Sequence, residues 1–227
     1  MNPQPKTRIV ELFGLPGAGK TTLAKAAGCA DAITRHQLVD AWRLRPRVQQ
    51  ASYVGRAFLR IGCVAAAARL AAAIPLTNRE SLGRLIKLVG RTEWLKSQDG
   101  LLLLDQGLLQ ELWSILYDSG CEEPDPAVLA PLIRCLYDEV PTTIVFIDTD
   151  RAVASERIRG RSHGHSRLDG LSEAQLRGSL DRSARLARRI LRASEAAGLE
   201  VHALDGSAPI DTLASELRHL MSVRSGS

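Results

Sequence analysis

The segment Gly14-Leu-Pro-Gly-Ala-Gly19-Lys20-Thr21 matches GxxxxGK[ST] at every fixed position, and it stands between a short apolar run, Arg8 to Phe13, and an alanine-rich stretch, Lys20 to Cys29. An apolar run bounded by glycine reads as a buried strand, and the alanine-rich stretch reads as a helix. Strand, glycine-rich turn and helix in that order point to an α/β fold. The glycines let backbone N–H groups converge on phosphate oxygens without a Cβ in the way. The helix that opens near Lys20 adds the positive end of its dipole. Lys20 is expected to reach the β- and γ-phosphates, and Thr21 to ligate Mg²⁺ through its hydroxyl. The expected contacts with a nucleoside triphosphate span Gly14, Pro16, Gly17, Ala18, Gly19, Lys20, Thr21 and Thr22.

The rest of the chain continues the alternation. Leu101 to Leu104 has no polar face and suits a strand covered on both sides; Thr142 to Ile147 and Leu199 to Leu204 are further strands, and Ala32 to Gln37 is an ambiguous one. Helices are expected over Val48 to Ala73 (ended by Pro75), from Asn78 as N-cap to about Ser97, and from Leu108, where Leu108, Leu112 and Leu116 share a stripe. More are expected over Pro126 to Asp138, Ala152 to Arg159, Ser172 to about Ala196, and Pro209 to Ser222. This order predicts a parallel, doubly wound sheet in one domain covering residues 1–227, with about 41–98 as a helical insertion above it. A chain of 227 residues can bury such a core without disulfides or metals.

Charge narrows the partners. The formal net charge is +5, and residues 151–192 alone hold eleven arginines against Glu156, Asp169, Glu173 and Asp181, with no aromatic residue among them. A nucleic-acid surface would spread its charge or interleave it with aromatics, so nucleic acid is disfavoured and a small polyanion fits better. Arg182, Arg185, Arg189 and Arg192 read as a solvated helix face. The four cysteines, Cys29, Cys63, Cys121 and Cys135, form no CxxC pair, which excludes zinc-finger and redox motifs and favours a reducing, cytoplasmic setting. The N-terminus lacks the apolar core of a signal peptide. Ile61 to Leu76 is shorter than the roughly 20 residues a spanning helix needs and carries Arg69 mid-way, so it reads as a buried helix. Contact of Arg56, Arg60 and Arg69 with a membrane surface is the weaker reading.

Two further features bear on chemistry. The Leu101–Leu104 strand ends in Asp105-Gln106-Gly107, and an Asp there lies at the carboxyl end of the sheet, where open α/β sheets bind ligands. Asp105 can hold Mg²⁺ or accept a hydroxyl proton from the phosphoryl acceptor. Motor-type ATPases follow this Asp with Glu, where this chain has Gln106, and no NKxD guanine-recognition motif occurs. Downstream, Asp148-Thr-Asp150 ends a strand, Arg157 and Arg161 share a helix face, and Arg167 lies across a Gly-, Ser- and His-rich loop. A segment of about 157–170 with arginines at both ends has the makings of a lid that closes on the γ-phosphoryl and excludes water. His163 and His165 read as polar lid residues, and Asp205-Gly206 as a loop against the adenine.

The GLPGAGKTT loop, the LLLLDQG strand, the VFIDTD strand running into ERIRGR, and the VHALDG strand together resemble the P-loop nucleoside and nucleotide kinases, nearest to the thymidylate kinase and deoxynucleoside kinase group. The resemblance implies a three-layer P-loop NTPase fold with a five-stranded parallel sheet in the order 2-3-1-4-5, Mg-ATP as donor, and an arginine-bearing lid. On it, Lys20, Asp105, Arg157, Arg161 and Arg167 are the expected catalytic residues, and Thr21 and Asp105 the Mg²⁺ ligands. The acceptor would be a small molecule of the nucleoside or nucleotide kind; no membrane span is implied, and a homodimer is left open. The family carries Asp-Arg or Glu-Arg-Ser where this chain has Asp105-Gln106-Gly107, so an arginine that normally meets the acceptor is missing. A slowly hydrolysing regulatory ATPase and a nucleic-acid end kinase stay as alternatives. Trp42, Arg43, Arg45, Arg47, Tyr53, Arg56, Glu80 and Trp94, in the insertion that would cover the acceptor, read individually as packing or solvated residues.

Overall fold

Three apolar runs that lie far apart in the chain form neighbouring strands. The computed structural model describes residues 7–29, 33–74, 79–160, 168 and 170–222. In it, β1 (Thr7–Gly14) leads through the glycine-rich turn into α1 (Lys20–Ala26). After β2 (Ile33–Thr34) come four helices, α2 (Arg35–Arg43), α3 (Arg47–Leu59), α4 (Ile61–Ala73) and α5 (Arg79–Lys96). Then follow β3 (Gly100–Asp105), α6 (Leu108–Asp118), α7 (Pro126–Tyr137), β4 (Thr142–Asp148), α8 (Arg151–Arg159), α9 (Glu173–Ala196), β5 (Glu200–Asp205) and α10 (Ile210–Ser222).

The strands are parallel and ordered β2-β3-β1-β4-β5, the order the family resemblance implies. Four strands of six to eight residues carry the sheet, and β2 adds only Ile33 and Thr34, paired with Leu104 and Asp105. β1 is central: Leu12 faces Asp105 on one side and Val145 on the other. This register brings Asp105 level with the end of β1, where the glycine-rich turn begins. Helix α1 packs with α10 against β1, while α6 packs on β1 and α9, so helices cover the sheet. With that cover, β1 and β4 are buried almost throughout.

The insertion differs from the expectation in two ways. It starts at Arg35 rather than near 41, because the ambiguous segment gives two strand residues and then turns into α2. The single helix expected over Val48 to Ala73 is two helices, broken at Arg60, whose backbone leaves the helical region at φ −89° and ψ 86°. The break turns the Arg60 guanidinium toward three carboxylates, Glu93 at 3.1 Å, Asp138 at 2.5 Å and Glu139 at 3.2 Å. Trp42 and Trp94 are buried, with Tyr53 beside Trp42 and the Arg45 guanidinium 4.7 Å above the Trp94 ring, as the packing reading expects. The N-cap expected at Asn78 lies outside the described residues.

Cysteine spacing misled the sequence reading. Cys63 on α4 and Cys135 on α7 are joined in a disulfide with Cα atoms 5.5 Å apart, although 72 positions separate them. Distance along the chain carried no information about this contact, which the packing of α4 on α7 creates. The inference of a reducing compartment therefore loses its basis. Among the described residues, no helix is long and apolar enough to cross a membrane.

Candidate functional site

The glycine-rich turn sits at the carboxyl end of β1 and is braced from outside by α8. Gly17 has φ +86°, and a Cβ there would stand 2.6 Å from the Ala154 carbonyl oxygen of α8. Glycine is needed at this point both for its backbone angle and for the close approach of the helix. Gly19, with φ +92°, stands at the N-cap of α1, which opens with Lys20 and Thr21. The Lys20 ammonium is buried and donates to the carbonyls of Gly14 and Leu15, each at 2.9 Å. Its charge is thereby held at the turn. Thr22 is exposed on the same first turn of α1, Ala18 is buried and Pro16 half-buried.

Asp105 ends β3 directly opposite. The Thr21 hydroxyl donates to Asp105 Oδ2 at 2.5 Å, across 84 residues of sequence. Asp105 is 1% exposed, and its Oδ1 has no hydrogen-bond partner among the described residues. A buried carboxylate oxygen left without a partner is costly unless a ligand completes it. A hydroxyl and a carboxylate in contact are hard oxygen donors of the kind Mg²⁺ takes, so the residues here fit that ion.

The sequence reading did not single out Glu11. It lies mid-way along β1, fully buried, and its carboxylate accepts from the N–H groups of Leu108 (3.0 Å), Leu109 (2.7 Å) and Gln110 (3.4 Å), and from the Tyr137 hydroxyl (2.5 Å). It thus satisfies orphan donors at the N-terminus of α6, where a negative charge is also favoured by the helix dipole. Burial nonetheless outweighs these bonds and pushes the Glu11 pKa up to about 7. A Cβ on Gly107 would come within 2.7 Å of the Glu11 carboxylate, and Gln106 adopts φ +69°. The Asp-Gln-Gly sequence is therefore a tight turn closed over Glu11, in which Gly107 has no room for a side chain. A carboxylate inside the otherwise apolar stretch Ile9 to Phe13 was the available signal.

Of the expected arginines, Arg157 lies beside the glycine-rich turn. From α8 it donates to Ala18 O in the turn (3.3 Å) and to Gly206 O at the end of β5 (3.1 Å). Thr149, just past β4, donates to the same Ala18 carbonyl at 3.4 Å, and Gly206 N–H donates to Asp148 O at 2.7 Å. Asp150 caps α8 through the Ala152 N–H. The ends of β1, β3, β4 and β5 thus converge on the turn. Arg161 and Arg167, with His163 and His165, lie outside the described residues. Among the described residues, no group of His, Cys, Asp and Glu forms a metal cluster.

No protein-family model matches the chain, and no curated protein matches it by sequence. Among solved structures it is similar to a deoxyadenosine kinase from M. mycoides with bound dATP, at 16% sequence identity and a TM-score of 0.50. The match covers 95% of this chain and 100% of that one, so the likeness extends over the insertion as well as the sheet. The chain has the fold of that P-loop kinase.

Proposed function

We propose that this protein transfers the γ-phosphoryl group of ATP to a hydroxyl or phosphate of a nucleoside-like small molecule, with Mg²⁺ as cofactor. The observation that carries the reading is the contact between Thr21 and Asp105, which puts a buried carboxylate against the glycine-rich turn. Thr21 and Asp105 would hold Mg²⁺, which would supply positive charge to neutralise the transferring phosphoryl group. Lys20 exchanges the Gly14 and Leu15 carbonyls for phosphate oxygens. Asp105 Oδ1, which has no hydrogen-bond partner among the described residues, would take the proton given up by an acceptor hydroxyl. Arg157 stands against Gly19, and with Arg161 and Arg167 it adds positive charge around the phosphates and helps keep water out. The likeness to a deoxyadenosine kinase makes a nucleoside the first acceptor to try.

The test is transfer of labelled γ-phosphate from Mg-ATP to separate pools of nucleosides, nucleoside monophosphates, sugars and oligonucleotides. Label should appear on nucleosides or their monophosphates and vanish in Lys20→Ala. Asp105→Asn should lower kcat by roughly 10² to 10⁴ while leaving most of the ATP affinity. Near-normal turnover in that variant would remove Asp105 from the chemistry. Label released only to water would make the protein a slow regulatory ATPase, and label on oligonucleotides an end kinase.

A further inference from the structure

Asp125, Asp150 and Ser172 cap helices α7, α8 and α9 with their own side chains. Helix α6 has Gly107 at that position and no side-chain cap of its own. Its first N–H groups are met from the neighbouring strand, where Glu11 Oε2 accepts from Leu108 and Oε1 from Leu109 and Gln110. A local serine or aspartate serves this purpose near water, whereas the Glu11 carboxyl group lies wholly inside the protein. Capping alone does not account for so costly a placement. What the placement adds is a tie between β1 and the turn after β3. Leu12 lies opposite Asp105 in the sheet, and only Gln106 and Gly107 separate Asp105 from the first residue that Glu11 holds. Gln106 has φ +69°, a left-handed backbone that a residue with a side chain keeps only where its surroundings impose it.

We propose that Glu11 and Tyr137 are positioning residues for Asp105, an inference that rests on the Mg²⁺ and proton-acceptor role given to Asp105 above. Strand pairing fixes Asp105 from one side, and the Glu11 bonds fix the chain from Leu108 on the other. Between them the turn carries the Asp105 carboxylate to the Thr21 hydroxyl. Tyr137, the last residue of α7, sets the Glu11 carboxyl group: its hydroxyl donates at 2.5 Å to Oε2, the oxygen that also accepts from Leu108. Either protonation state of Glu11 keeps these bonds. A proton on Oε2 is shared with the Tyr137 oxygen and still leaves a lone pair for the Leu108 N–H. An amide does not keep them, because one side of it is a donor. Turned either way, it sets an NH₂ group against Leu108 or against Leu109 and Gln110. The first turn of α6 is then released, Gln106 is no longer held left-handed, and Asp105 loses its fixed approach to Thr21. The phosphate-binding turn itself joins β1 to α1, so ATP binding does not depend on this path.

The test compares wild type with Glu11→Gln, Tyr137→Phe and Asp105→Asn. Ile190→Ala, which truncates a buried side chain of α9, controls for loss of stability alone. Three quantities are read on each full-length chain: ATP affinity, kcat for phosphoryl transfer, and the electron paramagnetic resonance spectrum of Mn²⁺–ATP on the protein. Mn²⁺ takes the same oxygen ligands as Mg²⁺, so its spectrum reports the Asp105 carboxylate without turnover. Tyr137→Phe should lower kcat about tenfold and Glu11→Gln about 10- to 100-fold, with ATP affinity nearly unchanged. Both should move the Mn²⁺ spectrum in the direction that Asp105→Asn does, and Ile190→Ala should not. If Glu11→Gln fails to fold, Tyr137→Phe decides, since it removes a single hydroxyl. Wild-type kcat and spectrum in the Glu11 and Tyr137 variants, with both altered in Asp105→Asn, overturn the positioning role and leave the Mg²⁺ site standing. Losses matched by Ile190→Ala overturn it too. If Asp105→Asn itself changes neither, the Mg²⁺ site fails first and the positioning role falls with it. Should no acceptor pool take label, the Mn²⁺ spectra still decide.

Discussion

At the scale of single residues, Glu11 connects the sheet to the chemistry. It holds the N-terminus of α6, and α6 follows directly from the Asp105 turn. Its raised pKa makes this link pH-dependent. The unfolded chain releases the Glu11 proton near 4.5, whereas the folded protein keeps it to about 7. The protonated form therefore favours the fold: this contribution is fully present below pH 4.5 and is lost as pH rises through about 7. Across that window wild-type stability should fall by roughly 3 kcal/mol on account of Glu11. Denaturant midpoints measured through the window for wild type and Glu11→Gln check this. The variant removes the ionisation, so its profile should be flatter, and equal slopes would show that Glu11 is not the source.

At the scale of elements, α8 determines the shape of the phosphate-binding turn as much as β1 and α1 do. Gly17→Ala would force a left-handed alanine against the Ala154 carbonyl. The backbone strain alone should cost about 1–3 kcal/mol, and ATP affinity should fall with it, both read by titration. An unchanged midpoint would mean that α8 yields freely. The strand–turn–helix unit could be read from the sequence because its signals are local: an apolar run, glycines at fixed spacing, and an alanine-rich start to α1. Asp105 could be read for the same reason, as the first polar residue after four leucines. The break at Arg60 could not, since it answers carboxylates 33 or more positions away. Glu11 was hidden in the same way, because its partners lie 97 to 126 residues downstream.

At the scale of the whole molecule, β1 is formed by early residues but is held by late ones. Its neighbours β3 and β4 begin at Gly100 and Thr142, and Arg8 donates to the carbonyls of Leu220 and Met221 near the end of α10. The phosphate-binding turn thus depends on contacts that span nearly the full chain. The Cys63–Cys135 disulfide adds a covalent constraint across 72 positions. Closing a loop of that length should stabilise the fold by roughly 4 kcal/mol through the unfolded state. Urea titration with and without reductant measures this, and identical midpoints would show that the bond contributes nothing to stability. The disulfide also divides the polypeptide into a closed ring and two tails. Asp105 rides on the ring, Lys20 and Thr21 belong to one tail, and Arg157 to the other. A protease nick between 64 and 134 would leave a single covalent molecule, whereas a nick between 22 and 62 would detach Lys20 and Thr21, and one between 136 and 156 would detach Arg157.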